Sequence, residues 1–179
     1  MKDGLPGYIL DRLFYVRAWN SYVTALGLEH ETAERHPHFI GRVMTDRRFR
    51  QSACHYEALI RYLLQAMWIG TGRLCGSQAY VRMLNQLAEI PGLREYWSSL
   101  VLDDDGSMKL LQEATQDIVI PGRGKFRLFS LKIEYPLFYY LLQYVPMDEL
   151  AWRTITLARA ECGPEVSFAP DASPLHSVG

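Results

Sequence analysis

The run KFRLFSLKIEY, residues 125–135, sets large apolar side chains at alternate positions, Phe126 and Leu128 and then Phe129, Leu131, Ile133 and Tyr135. Only an extended chain puts alternate residues on one face, so the run is predicted to be a strand. A strand needs partners. DIVI at 117–120 and FYYLLQYV at 138–145 flank it and read as two more, joined in a meander through PGRG and past Pro136. The remaining strand-like runs, GYIL and YVRAW, lie at the other end of the chain, within residues 7–19. Strands from both ends must pair across the helical middle to cover their apolar faces. The expectation is one antiparallel sheet of five strands with helices packed on one face, an α+β layer architecture.

Between the two groups of strands the periodicity changes. Phe49, Tyr56, Leu59, Ile60, Leu63 and Met67 recur at three, four and seven, with Glu57, Arg61 and Gln65 on a polar stripe. That spacing predicts an amphipathic helix over about 46–69, capped by Thr45 or Asp46 and ended by Gly70-Thr71-Gly72. Ser77 is placed to cap a second helix running to about Glu89, and a short helix through Trp97 follows. Asn20 stands where it can cap a short helix over Ser21–Leu26. Residues 28–45 read as mostly loop, with Phe39 and Ile40 tucking back. DDDG at 103–106 reads as a turn. Pro146 suits the first turn of a last helix over about 147–160. In KFRLFSLKIEY, Phe126, Leu128, Ser130, Lys132 and Glu134 form the more polar face. Arg127, Phe129, Leu131, Ile133 and Tyr135 are therefore expected to face the core. The last stretch is rich in Pro, Ser, Ala and Gly without periodicity. Residues 1–161 are expected as the domain and 162–179 as a flexible tail.

Several function classes lack support. The formal net charge is -1, without the clustered basic excess of a nucleic-acid footprint. The three cysteines have no C-x-x-C spacing, which argues against a disulfide framework or a zinc site and for a reducing, cytoplasmic setting. No basic and apolar leader opens the sequence, and no apolar window is long enough to suggest a membrane span. His36, His38, Cys54 and His55 lack ligand spacing, so no metal is expected. GRGK at 122–125 lacks the first glycine and the Ser/Thr of a phosphate loop. No G-x-S-x-G elbow occurs, and Asp103, Asp104 and Asp105 have no partner acid. No enzyme and no cofactor is expected.

The order of elements resembles a PAS domain, with two strands, intervening helices and three strands, and with AWN at the end of the second strand. More specifically, ILDRLFYVRAWN, FRQSACHYEALIRYLLQAM and LNQLAEIPGLREYWSS resemble, in order and spacing, segments of the MmyB-like transcription regulator ligand-binding domain. The resemblance covers about residues 7–160. It departs where the family has a tryptophan near Tyr56 and an arginine near Met67, and where LVLDDDGSMKLLQEATQDIVIPG lacks a histidine-proline pair.

The resemblance implies a sensor of a hydrophobic small molecule, such as a fatty acid, held between sheet and helices. The ligand-lining candidates are Trp19, Val23, Phe39, Tyr56, Leu59, Ile60, Leu63, Met67, Phe129, Leu131, Ile133, Tyr139 and Leu141. The same residues would equally make an ordinary packed core. Arg61, Arg17 and Arg127 are candidate anchors for an anionic head, although Arg61 could simply pair with Glu57 one turn back. TDRRFR at 45–50 is either a solvated helix start or an anion-attracting rim. A homodimer is expected, with DNA reached only through a helix-turn-helix module outside these residues. The alternative is a packed PAS-like dimerisation or protein-interaction module without a ligand.

Overall fold

The computed structural model describes residues 4–28, 36–53, 55–102, 117–133, 139–163 and 165–169. Their architecture is α+β and compatible with a PAS-like fold. The strands are β1 (Gly7–Asp11), β2 (Val16–Asn20), β3 (Asp117–Ile120), β4 (Gly124–Ile133), β5 (Tyr139–Pro146) and β6 (Val166–Phe168). They form one antiparallel sheet in the order β3-β4-β5-β1-β2-β6. The two ends of the chain meet where β1 pairs with β5. Five strands are as expected. The sixth comes from the stretch expected to be tail, and it extends the sheet beyond β2.

The helices are α1 (Ser21–Ala25), α2 (Phe39–Thr45), α3 (Arg47–Ser52), α4 (Tyr56–Thr71), α5 (Gln78–Ala88), α6 (Leu93–Leu102) and α7 (Glu149–Glu161). Ser77 caps α5 as expected, accepting from the Tyr80 amide at 3.2 Å. Asp46 caps α3 through the Arg48 amide at 2.7 Å. Two expectations fail on backbone pairing. The helix expected over 46–69 is broken, because Ala53 turns extended and bridges Ile118 of β3. Residues 39–45, expected as loop, are helical. His38 starts that helix by accepting the Ile40 amide on Nδ1 at 3.2 Å. DDDG lies outside the described residues.

Asn20 precedes a helix as expected, but its side chain does not cap it. Its Nδ2 donates to the Leu5 carbonyl at 2.8 Å, and its Oδ1 accepts from the Gly7 amide at 3.2 Å. The residue therefore ties the end of β2 to the start of β1. Pro146 closes β5 rather than opening α7, and Asp148 caps that helix through the Ala151 amide at 2.7 Å.

The β3–β4 turn fixes which face of β4 looks inward. Ile120 pairs with Gly124 and Ile118 with Phe126, so Phe126 and Leu128 enter the core with Ile118 and Ile120. Side chains alternate, so Phe129, Leu131 and Ile133 must point outward, and they are 52%, 50% and 41% exposed. This reverses the expected face. The polar Lys132 shares the inner face but sits near the end of β4, where it too is exposed.

The core closes sheet onto helices through aromatic edges. Tyr8 of β1 meets Phe39 of α2 at 5.5 Å and Tyr144 of β5 at 6.2 Å, while Phe39 meets Phe49 of α3 at 6.3 Å. Helix α7 crosses one end of the sheet. Midway along it, the Thr154 hydroxyl donates to the Arg123 carbonyl at 2.9 Å, and near its end Arg159 donates to the Gly4 carbonyl at 3.1 Å.

Candidate functional site

The residues expected to line a ligand cavity divide into three groups. Trp19, Val23, Phe39, Leu59, Ile60, Leu63 and Met67 are buried in one cluster with Tyr8, Leu10, Phe126 and Tyr144. They lie between sheet and helices, where a ligand was expected. Phe129, Leu131 and Ile133 lie on the opposite face of the sheet, with Tyr139 and Leu141 half-buried beside them on β5. Tyr56 belongs to neither group and stands at the first turn of α4.

At that turn the surface opens into a groove of about 550 Å³ lined by His55, Tyr56, Glu57, Ala58 and Arg61. This is within the size range of small-molecule sites. Its floor is set by Tyr56, whose hydroxyl donates to the Val43 carbonyl at 3.3 Å at the end of α2. Burial raises the Tyr56 hydroxyl pKa, so the ring stays neutral and remains a donor. The Arg50 guanidinium lies 5.5 Å from the centre of the same ring, a cation–π contact that brings α3 against α4.

The three candidate anchors have different fates. Arg17 is committed to Asp11, with Nε donating to Oδ2 at 2.9 Å. Asp11 is only 2% exposed, and its other oxygen accepts the Leu13 and Tyr15 amides at 2.8 and 3.0 Å. The pair organises the turn between β1 and β2 and commits Arg17 to Asp11. Arg127 is likewise committed, with Nε 2.8 Å from Asp117 Oδ1, while Lys125 Nζ stands 2.8 Å from Oδ2. The hydrogen bond from Arg127, aided by Lys125, holds the Asp117 carboxyl below its ordinary range.

Arg61 has no such commitment. Among the described residues it forms no ion pair with Glu57, contrary to the simpler expectation, and its buried Nε has no hydrogen-bond partner. A guanidinium without an ion pair beside a groove is the group that an incoming carboxylate or phosphate would engage, and such pairs are often bidentate.

Of the residues expected by sequence, Tyr56 and Arg61 are thus brought together. Ala58 was missed, because it does not depart from an ordinary helix start, and His55 was weighed only as a metal ligand. Arg50 was visible only as part of the basic run TDRRFR. Among the described residues no group of three His, Cys, Asp or Glu could hold a metal ion, and no helix is long and apolar enough to cross a membrane. No protein-family model matches the chain, and neither does any curated protein sequence.

Proposed function

We propose that this chain is the ligand-sensing domain of a transcription regulator. It binds an amphiphilic small molecule with an acidic head, of which a fatty acid is the simplest example. The groove at the start of α4, lined by an Arg61 that makes no ion pair among the described residues, is the observation that carries this reading. Arg61 holds the acidic head, Tyr56 and Ala58 take the apolar part, and Arg50 adds positive potential at the rim. The proposed site therefore lies on the helical layer, beside the core rather than within it.

The route from groove to sheet is α4 itself. Its 16 residues extend roughly 24 Å at 1.5 Å per residue. Near its far end Gly70 lies against Tyr140 of β5. A ligand that binds one position of α4 more tightly than another shifts that contact, and the sheet carries the change to an attached or partner DNA-binding module. A second reading, a protein-interaction module without a ligand, draws support from the exposed Phe129, Leu131 and Ile133.

The test is thermal shift and native mass spectrometry of the purified chain with dodecanoic to octadecanoic acids. Binding is expected for at least one of them, and Arg61→Ala is expected to weaken it about tenfold or more while leaving the unliganded melting temperature unchanged. Absence of binding across the series, or undiminished binding by Arg61→Ala, would overturn the proposal.

A further inference from the structure

The outer face of the sheet, set aside by the groove, carries a pattern of its own. Directly paired residues on antiparallel strands share a face. Phe168 of β6 pairs with Ala18 of β2, Ala18 with Ile9 of β1, Ile9 with Leu141 of β5, and Leu141 with Leu131 of β4. The register thus lays one unbroken apolar row across five strands. Phe129 and Ile133 widen it along β4. Phe168 is 72% exposed, Leu131 50% and Ile9 39%, so the larger side chains of the row face solvent, while the small Ala18 between them is buried.

From this face we infer that the chain forms a homodimer, with two copies packing their outer sheet faces together over this apolar row. Three observations favour a second copy as the occupant. The first is area. Five strands span about 19 Å and three same-face residues of β4 about 14 Å. With a side-chain margin the patch approaches roughly 500 Å², most of the ~800 Å² per partner in a standard interface and at the upper end of what monomers expose.

The second is charge. The ionised groups beside the row are already paired within the chain: Asp11 with Arg17, and Asp117 with Lys125 and Arg127. The face therefore has little with which to select a strongly acidic or basic partner. It also has little to repel its own copy. The third is shape. A nearly uniform apolar row is self-complementary under a two-fold axis, which is what an isologous contact requires.

This inference does not rest on the groove, and the two can fail separately. Sedimentation velocity of the full chain from about 1 to about 200 µM should show a concentration-dependent dimer. Leu131→Asp, at the half-exposed end of the row, should weaken it about tenfold or more by setting carboxylates within the dry interface. Phe129→Glu should do the same, and it tests the face again if Leu131→Asp disturbs folding. Leu157→Asp, on the exposed side of α7, and Arg61→Ala, in the groove, should leave the dimer intact. A chain that stays monomeric throughout would overturn the inference. So would a dimer that survives both β4 substitutions, or one broken equally by Leu157→Asp.

Discussion

His38 is the residue whose chemistry is most exposed to pH. It is buried, its ring meets Tyr15 edge-on at 5.3 Å, and its Nδ1 accepts the Ile40 amide. That acceptor role requires a ring without a proton on Nδ1. Burial pushes the pKa down to about 3 from an ordinary 6.5. The folded-state value is depressed, so the contribution of the neutral ring is complete above pH 6.5 and is lost as the pH falls toward 3. The slope is about 1.4 kcal/mol per unit, or roughly 2 kcal/mol between pH 6.5 and 5. Urea unfolding at pH 7.5 and pH 5 should show this loss. His38→Asn keeps a cap acceptor, so it should lower stability at neutral pH yet flatten the dependence. An equal dependence in both proteins would rule His38 out as its source. Neither this role nor the fate of Asn20 was legible in sequence. Asn20 looked like a cap and His38 like part of a loop, and what decides the role of each is the partner brought near by the fold. The groove was half-legible for a similar reason. Tyr56 and Arg61 stand out by type on a helix, whereas Arg17 and Arg127 look identical to Arg61 until Asp11 and Asp117 are placed beside them.

At the scale of elements, α4 is held to the sheet by a missing side chain. A Cβ on Gly70 would collide with the Tyr140 hydroxyl oxygen and fall 3.7 Å from the Phe14 ring. Alanine at a helical position ordinarily gains up to about 1 kcal/mol over glycine. Here overpacking should reverse the sign, and Gly70→Ala is expected to cost about 1–3 kcal/mol. Tyr140→Phe removes the obstructing oxygen. The double variant should therefore recover much of the loss, giving a coupling energy of about 1 kcal/mol or more in a thermal or urea double-mutant cycle. Strict additivity would mean that the helix simply moves aside. The same scale shows where sequence patterns mislead. Phe49 and Tyr56 are seven residues apart, a helical spacing, yet the chain leaves the helix at Ala53 to bridge Ile118. In β4 the greater apolarity of Phe129, Leu131 and Ile133 pointed inward. The register set by the β3–β4 turn points them outward, and periodicity alone cannot choose between two faces that are both rich in large side chains.

For the molecule as a whole, the pairing of strands from opposite ends of the chain was legible, because isolated apolar strands have no other way to be covered. The closing strand was not. Residues 166–168 have the composition of a tail, and only position makes them a strand. The Ser21 amide donates to the Glu165 carbonyl at 2.9 Å, the Ala169 amide to the Arg17 carbonyl at 3.0 Å, and the Ser21 hydroxyl to the Gly163 carbonyl at 2.7 Å. β6 thereby occupies the edge of β2, which would otherwise present unpaired backbone groups. Its side chains bury little: Val166 and Phe168 are 52% and 72% exposed. Its contribution is therefore mostly hydrogen bonding, at about 0.5–1 kcal/mol for each partly exposed bond. Ending the chain after Cys162 should cost roughly 2–3 kcal/mol, lowering the melting temperature by about 5–10 °C for a protein of this size. A tail without structure would leave the melting temperature unchanged on removal, so one pair of melting curves separates the two. The truncated chain also loses Phe168 from the outer row while keeping Leu131 and Phe129. Its dimer should weaken less than that of Leu131→Asp, and a truncation that abolished self-association outright would move the centre of the interface from β4 to the β6 edge.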